Sequence, residues 1–154
     1  MGASKAKVRP IGPADLDRIV EIDQKITGHS RRGFYEKRFA IAARETGAFI
    51  GLAAETDGQI KGFVLTHILD GEFGGSDPVA VLDALGVDAR ARGAGVARTL
   101  MSALDKALKD RGVKELQTQA QLSDHELVGF FTAAGFDLAP RLTLERESSQ
   151  RVDF

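Results

Sequence analysis

The chain has 154 residues, 43% of them hydrophobic, enough for one domain with a real core but not for two independent cores. Lys and Arg number 21 against 22 Asp and Glu, a formal net charge of -1, and a general nucleic-acid binder would carry a basic surplus. Cysteine is absent, which excludes disulfides, thiolate nucleophiles and cysteine zinc sites.

No apolar run is long enough to span a bilayer, and the opening MGASKAKVRP lacks the apolar centre of a signal peptide. Ala6 stands where an N-myristoylation motif wants Ser or Thr. The expectation is one soluble, cytoplasmic domain over residues 1–154, polar from about 148 onward, with no membrane, nucleic acid or metal among its partners.

Lys7 to Ile11 reads as a first strand, closed by Gly12 and by Pro13, a residue suited to the first turn of a helix. Leu16, Ile19, Val20 and Ile26 recur at helical spacing, which predicts an amphipathic helix from Ala14 to about Ile26 and a break at Gly28. Arg31 to Arg44 predicts a second, basic helix with Tyr35, Phe39 and Ala42 on one stripe. Its charges Arg31, Arg32, Lys37 and Arg38 suit either recognition of an acidic acceptor, such as a carboxylate beside an amine, or a solvated helix face.

Ala48 to Thr56 and Gln59 to Leu69 are strand-like runs joined by Asp57-Gly58, a two-residue hairpin signal because both residues tolerate positive φ. A glycine-rich loop follows from Asp70 to Ser76, then an apolar strand from Pro78 to Val87 interrupted by Asp83. From Val96 the helical period returns and lasts to a stop at Gly112. Glu115 to Gln121 predicts a fifth strand, and Ser123 to Glu126 matches a capping box before a helix that ends at Gly135. Phe136 to Ala139 and Leu142 to Glu147 predict two last strands around Pro140. The order β-α-α-β-β-β-α-β-α-β-β is that of a mixed sheet flanked by helices, a single α/β domain.

Between the fourth strand and the next helix lies ARARGAGVARTLM, Ala89 to Met101. It is not a P-loop, since no lysine follows the second glycine, and Arg98 stands where a dinucleotide fingerprint needs its third small residue. Glycines at a helix start do suit a diphosphate, because the first N–H groups lack internal partners and the helix dipole adds positive charge. A tight strand-to-helix turn with solvated arginines fits the same glycines equally well.

Val87 to Leu100 resembles the acetyl-coenzyme A motif of the GNAT superfamily of N-acetyltransferases, whose core reads Gln/Arg-x-x-Gly-x-Gly/Ala. Arg92-x-x-Gly95-x-Ala97 matches with Val87 at the strand end; Arg90-x-x-Gly93-x-Gly95 also matches. VRPIGPADLDRIVEID is similar to the family's opening strand and helix, ETDGQIKGFVL to its central hairpin, and FFTAAGF to the Phe-Tyr-x-x-x-Gly-Phe end of its last helix. Together these matches run along nearly the whole chain in the family's order.

The resemblance implies acetyl transfer from acetyl-CoA to an amine acceptor by direct attack. A GNAT-fold module that binds an acyl-CoA without efficient turnover is the alternative. It implies a diphosphate site on the backbone of Arg92, Gly93, Ala94, Gly95, Val96 and Ala97, and a pantetheine arm along Leu85, Gly86 and Val87. A backbone N–H near Leu85 or Gly86 would polarise the thioester carbonyl. Gly86, in an apolar strand, fits close approach of a ligand or a bulge.

An alkylammonium must lose a proton before it attacks, so a carboxylate base is sought. Asp83 is the candidate, on the same side of its strand as Val81 and Leu85, with a buried structural carboxylate as the other reading. Glu72 and Asp77 read as loop charges, His67 and His125 as capping or surface residues. The family's usual general acid, the Tyr of its last motif, is replaced here by Phe131. Tyr35 is the remaining phenol, either catalytic in the acceptor pocket or packed in the core. A homodimer is suggested only by analogy with such folds.

Overall fold

The computed structural model describes residues 6–71 and 75–153. The chain divides into two compact units, Met1–Gln119 and Ala120–Phe154.

The first unit is a five-stranded sheet in the order β1-β2-β3-β4-β5, with β1 Lys7–Pro10, β2 Phe49–Thr56, β3 Gln59–Asp70, β4 Pro78–Val87 and β5 Glu115–Thr118. The first four strands are antiparallel, and β5 runs parallel to β4, which requires the crossover supplied by helix α3, Val96–Asp110. The hairpin turn is the predicted one, with Asp57 at φ 54° and Gly58 at φ 77°.

Helix α1, Leu16–Thr27, is preceded by a short 3-10 turn from Pro13 to Asp15. Asp15 accepts a hydrogen bond from the Gly12 N–H at 2.8 Å and a double contact from Arg9 at 2.8 and 2.9 Å. Arg9 thereby holds the Asp15 carboxyl below its ordinary value. At the other end Gly28, at φ 85°, donates its N–H to the Gln24 carbonyl at 2.8 Å, a left-handed cap that a β-carbon would strain. Helix α2 runs Arg32–Arg44.

Two glycines place the helices on opposite faces. A β-carbon at Gly86 would meet the Phe63 ring at 2.6 Å and Ile22 of α1 at 3.4 Å, whereas one at Gly62 would meet Val96 of α3 at 2.7 Å. Gly62 and Phe63 are consecutive in β3, so they point to opposite sides of the sheet. The face toward α1 and α2 buries Ile19, Ile22, Tyr35, Phe63 and Leu65, each worth about 1.5–3 kcal/mol as a buried apolar side chain. The Tyr35 ring stands edge-on to Phe34 and Phe63 at 5.0 and 5.8 Å. On α3, Leu100, Leu104 and Leu108 are buried at the predicted helical spacing.

The second unit contains helix α4, His125–Ala133. Its N-cap is Asp124, whose side chain accepts from the Leu127 N–H at 3.1 Å, so the cap lies one residue after the predicted Ser123. The two predicted strands from Phe136 to Ala139 and from Leu142 to Glu147 do not form. Alternating apolar residues make a strand only when an edge accepts their backbone, and Leu138, Leu142 and Leu144 are 98, 88 and 87% exposed. Pro140 also removes one donor from the run. The fifth strand is shorter than predicted, ending at Thr118. No helix among the described residues is long and apolar enough to cross a membrane.

Candidate active site

Strand β4 pairs with β5 only from Val79↔Glu115 to Leu82↔Thr118, where the Thr118 hydroxyl donates to the Leu82 carbonyl at 3.1 Å. From Asp83 to Val87, β4 continues without a β5 partner. The end of the pairing coincides with an irregularity on the other side of β4. Leu65 faces Ala84 and Thr66 faces Leu82, which leaves Asp83 as the extra, bulged residue.

The bulge corrects the expected alternation. Asp83 is turned toward α2, where its Oδ2 lies 3.8 Å from Nη1 of Arg38. It also meets the end of β3, with Oδ2 2.6 Å from Nδ1 of His67. The side chains of Asp83 and His67 are 9 and 18% exposed. His67 is therefore a partner of the candidate carboxylate and not a surface or capping residue. The signal that could have found it is weak: one His in β3 and one Asp in β4, brought together only by the bulged register.

Beyond Val87, the Asp88 N–H returns to the Lys61 carbonyl at 2.8 Å and its side chain organises the turn. Asp88 Oδ1 accepts from the Arg90 N–H at 2.9 Å and Oδ2 from Nη2 of Arg18 at 2.6 Å. These bonds, the Arg90 N–H first and then the Arg18 guanidinium, hold the Asp88 carboxyl well below the usual carboxylate range. Nothing in the sequence pattern pointed to Arg18, which lies on the polar side of α1.

After a single 3-10 turn from Ala89 to Ala91, the chain passes through Gly93 at φ 83° and Gly95 at φ 78° into α3. The first α3 bond is Thr99 N–H to the Gly95 carbonyl at 3.0 Å, so the N–H groups of Val96, Ala97 and Arg98 precede the helical ladder. The N-cap residue, Gly95, has no side chain with which to cap this helix start. Residues 92–95 are exposed, and open space surrounds the positions where β-carbons of Gly93 and Gly95 would lie. Uncapped N–H groups, a positive helix end and unobstructed glycines fit a diphosphate of the coenzyme A kind.

Gly86 answers to a different requirement. Its α-carbon faces the Phe63 ring, so packing in the core by itself requires glycine there. The backbone edges of Leu85 and Val87 remain on the unpaired part of β4.

Tyr35, the second candidate catalytic residue, lies in the core. It is fully buried, and its hydroxyl donates to Asp23 Oδ1 at 2.8 Å beside the Arg31–Asp23 ion pair. Burial, then the Asp23 charge, pushes the phenol far up, which is opposite to what a proton donor needs. Phe131 is buried in α4 against Phe130 and Phe136, at ring separations of 5.5 and 5.1 Å, and carries no proton to give. Asp77 and His125 are exposed, and Glu72 lies outside the described residues.

The four charges of the basic helix go to different places. Arg31 is taken up by Asp23, Arg32 pairs with Asp17 at 2.9 Å, and Lys37 is exposed. Only Arg38 points into a cavity of about 780 Å³ between α2 and the sheet, which Asp83 also lines. Among the described residues, no cluster of His, Asp and Glu is arranged to hold a metal ion.

The family model described as the acetyltransferase (GNAT) family matches residues 16–136. The chain is 26% identical over 148 residues to the aminoglycoside N(6')-acetyltransferase type 1 of Stenotrophomonas maltophilia, covering 95% of each. In fold it is similar to an aminoglycoside 6'-N-acetyltransferase from Acinetobacter haemolyticus, at TM-score 0.76 and 20% identity, covering 96% of this chain and 99% of that one. It is also similar to an aminoglycoside N-acetyltransferase solved in complex with CoA, at TM-score 0.77 and 19% identity, covering 96 and 97%. A family match that begins at the first residue of α1 and ends just past α4 takes in the helix start, the bulged strand and the Phe131 segment alike, and this chain belongs to the GNAT family of acetyltransferases, enzymes of the acyltransferase class.

Proposed function

We propose that this chain transfers an acetyl group from acetyl-CoA to a primary amine by direct attack. One observation carries the reading: β4 leaves β5 after Leu82, bulges at Asp83, ends at Val87, and leads through a 3-10 turn into an uncapped glycine-lined helix start. Acyl donor and the carboxylate that orients the base are thereby served by one strand.

The N–H groups of Gly93, Gly95, Val96 and Ala97 hold the diphosphate, that of Ala94 being donated to the Ala91 carbonyl at 3.2 Å, with the exposed Arg90 guanidinium nearby. The exposed backbone of Leu85 and Val87 takes the pantetheine arm in the manner of an added strand. Acetyl-CoA supplies a thioester carbonyl activated toward amines.

The acceptor amine must arrive, or become, neutral. Asp83 Oδ2 accepts the Nδ1 proton of His67, which fixes the tautomer and leaves the Nε2 lone pair to take the proton of the amine. His67 is then the general base and Asp83 its positioning residue, a division of labour that the sequence assigned to Asp83 alone. Phe131 stands at the motif position where the resembled family carries a phenol, so that position has no proton to give, and a coenzyme A thiolate is a weak enough base to leave without one.

The test is calorimetric titration with acetyl-CoA followed by thiol release with a panel of amines. Binding with turnover is the expected result. Binding without turnover on any acceptor favours an acyl-CoA-binding module, the reading that Phe131 supports, and absence of binding overturns both.

A further inference from the structure

We propose that the acceptor is an apolar α-amino acid, bound in the cavity between α2 and the sheet with its carboxylate on Arg38 and its amine at His67 and Asp83. The proposal rests on the acetyltransferase reading above and gives it a substrate class. It departs from the aminoglycosides named for the similar proteins, and the departure begins with charge.

An aminoglycoside brings several ammonium groups, and a pocket that binds it must present several carboxylates. This cavity is lined by one carboxylate, Asp83, and two guanidinium groups, Arg38 and Arg111. Asp83 is already engaged by His67 at 2.6 Å and approached by Arg38 at 3.8 Å. Among the described residues a polycation would meet net positive charge with no carboxylate to spare.

Arg111 and Arg38 differ in how much they have left to offer. Arg111 donates to the carbonyls of Gly47 and Phe49 at 3.0 and 3.4 Å, which ties α3 to the start of β2. Among the described residues Arg38 finds no hydrogen-bond partner. Its contacts are Asp83 at 3.8 Å, beyond hydrogen-bonding reach, and the Phe34 ring at 5.2 Å from its centroid. A half-buried guanidinium with its donors unspent is a receptor for a carboxylate, which it takes in bidentate fashion.

The spacing narrows the ligand further. A cation 3.8 Å from the carboxylate that orients the base puts anion site and amine site side by side. In an α-amino acid the carboxylate and the amine share one carbon, so the two sites are filled together. The guanidinium also disfavours the ammonium form of the amine beside it, which is the direction attack requires.

The remaining wall is apolar, with Leu16, Phe39, Phe49 and Leu65 facing the space. It suits an aliphatic or aromatic side chain and not a sugar ring with its hydroxyls.

Thiol release from acetyl-CoA is measured with L-phenylalanine, with phenethylamine (the same amine without the carboxylate) and with sisomicin, for wild type and Arg38→Met. Acetyl-CoA affinity is measured by calorimetry on both proteins. The expected kcat/KM is highest for phenylalanine, at least about tenfold above phenethylamine, since a charge-assisted bidentate contact carries that discrimination. In Arg38→Met the phenylalanine-to-phenethylamine ratio falls about tenfold or more, whatever happens to the common rate, because only one acceptor has the group that Arg38 binds. Preference for sisomicin, no turnover of phenylalanine by a protein that binds acetyl-CoA, or a ratio unchanged in Arg38→Met overturns the acceptor class. Failure to bind acetyl-CoA overturns the acetyltransferase reading itself.

Discussion

Arg18 of α1 donates to Asp88, 70 residues later in the chain, at 2.6 Å, and so fastens the first helix to the turn that opens the proposed diphosphate site. The same guanidinium reaches the Ile60 carbonyl at 2.9 Å, next to the hairpin. Asp88 is buried, and its remaining oxygen caps the Arg90 N–H. Replacing Arg18 by Met leaves a buried carboxylate short of its counter-charge, a loss of about 3 kcal/mol. The expected outcome is a lower melting temperature together with at least about tenfold weaker acetyl-CoA binding. Thermal unfolding and calorimetry check it, and loss of stability with intact affinity would separate the pair from the site.

The same pair predicts a pH dependence. The folded state holds the Asp88 carboxyl well below its unfolded value, so the unfolded chain binds the proton first as pH falls. Its stabilisation is complete above the ordinary carboxylate range and is lost as pH falls through the lowered folded value. Between pH 8 and pH 5 the contribution is therefore flat. Asp88→Asn lowers stability at neutral pH and shrinks the gap to wild type below about pH 4, measured by denaturant unfolding at a series of pH values.

Gly95 tests the helix start. Its φ of 78° is left-handed and the space beside it is open, so an added side chain strains the backbone without colliding with the protein. Gly95→Ala costs about 1 kcal/mol of stability through the backbone alone. Gly95→Asp, whose residue tolerates that conformation better, keeps the fold and abolishes acetyl-CoA binding by setting a negative charge where the diphosphate rests. Affinity like that of wild type in the Asp variant would move the site elsewhere.

His67 and Asp83 separate by kinetics. His67→Gln removes the proposed proton acceptor and lowers kcat about 100-fold or more, with acetyl-CoA affinity retained. Asp83→Asn keeps the ring but no longer selects its tautomer, so turnover falls while acetyl-CoA affinity is retained. If His67→Gln keeps wild-type turnover while Asp83→Asn does not, the carboxylate is the base.

Tyr35→Phe gives the opposite signature. It deletes a buried hydrogen bond to Asp23, which Arg31 still holds, at a cost of about 1–2 kcal/mol in stability. Turnover per folded molecule stays within about twofold of wild type. A loss of kcat larger than the loss of folded protein would return Tyr35 to catalysis.

What the sequence determined by itself is local. The Asp57-Gly58 turn, the Gly28 cap, the period of α3 and the glycine pair before it each depend on backbone preferences and spacing within a few residues, and all stand where the residues predict. Tertiary structure decided the rest, because it rests on contacts between segments far apart in the chain. A one-residue bulge turned Asp83 toward His67 and Arg38, packing against Phe63 claimed Gly86 and Tyr35 for the core, and α1 lent Arg18 to a turn it does not adjoin. The two strands expected after α4 fail for the same reason in reverse: alternation marks a segment that is able to pair, and only a neighbouring edge makes it a strand.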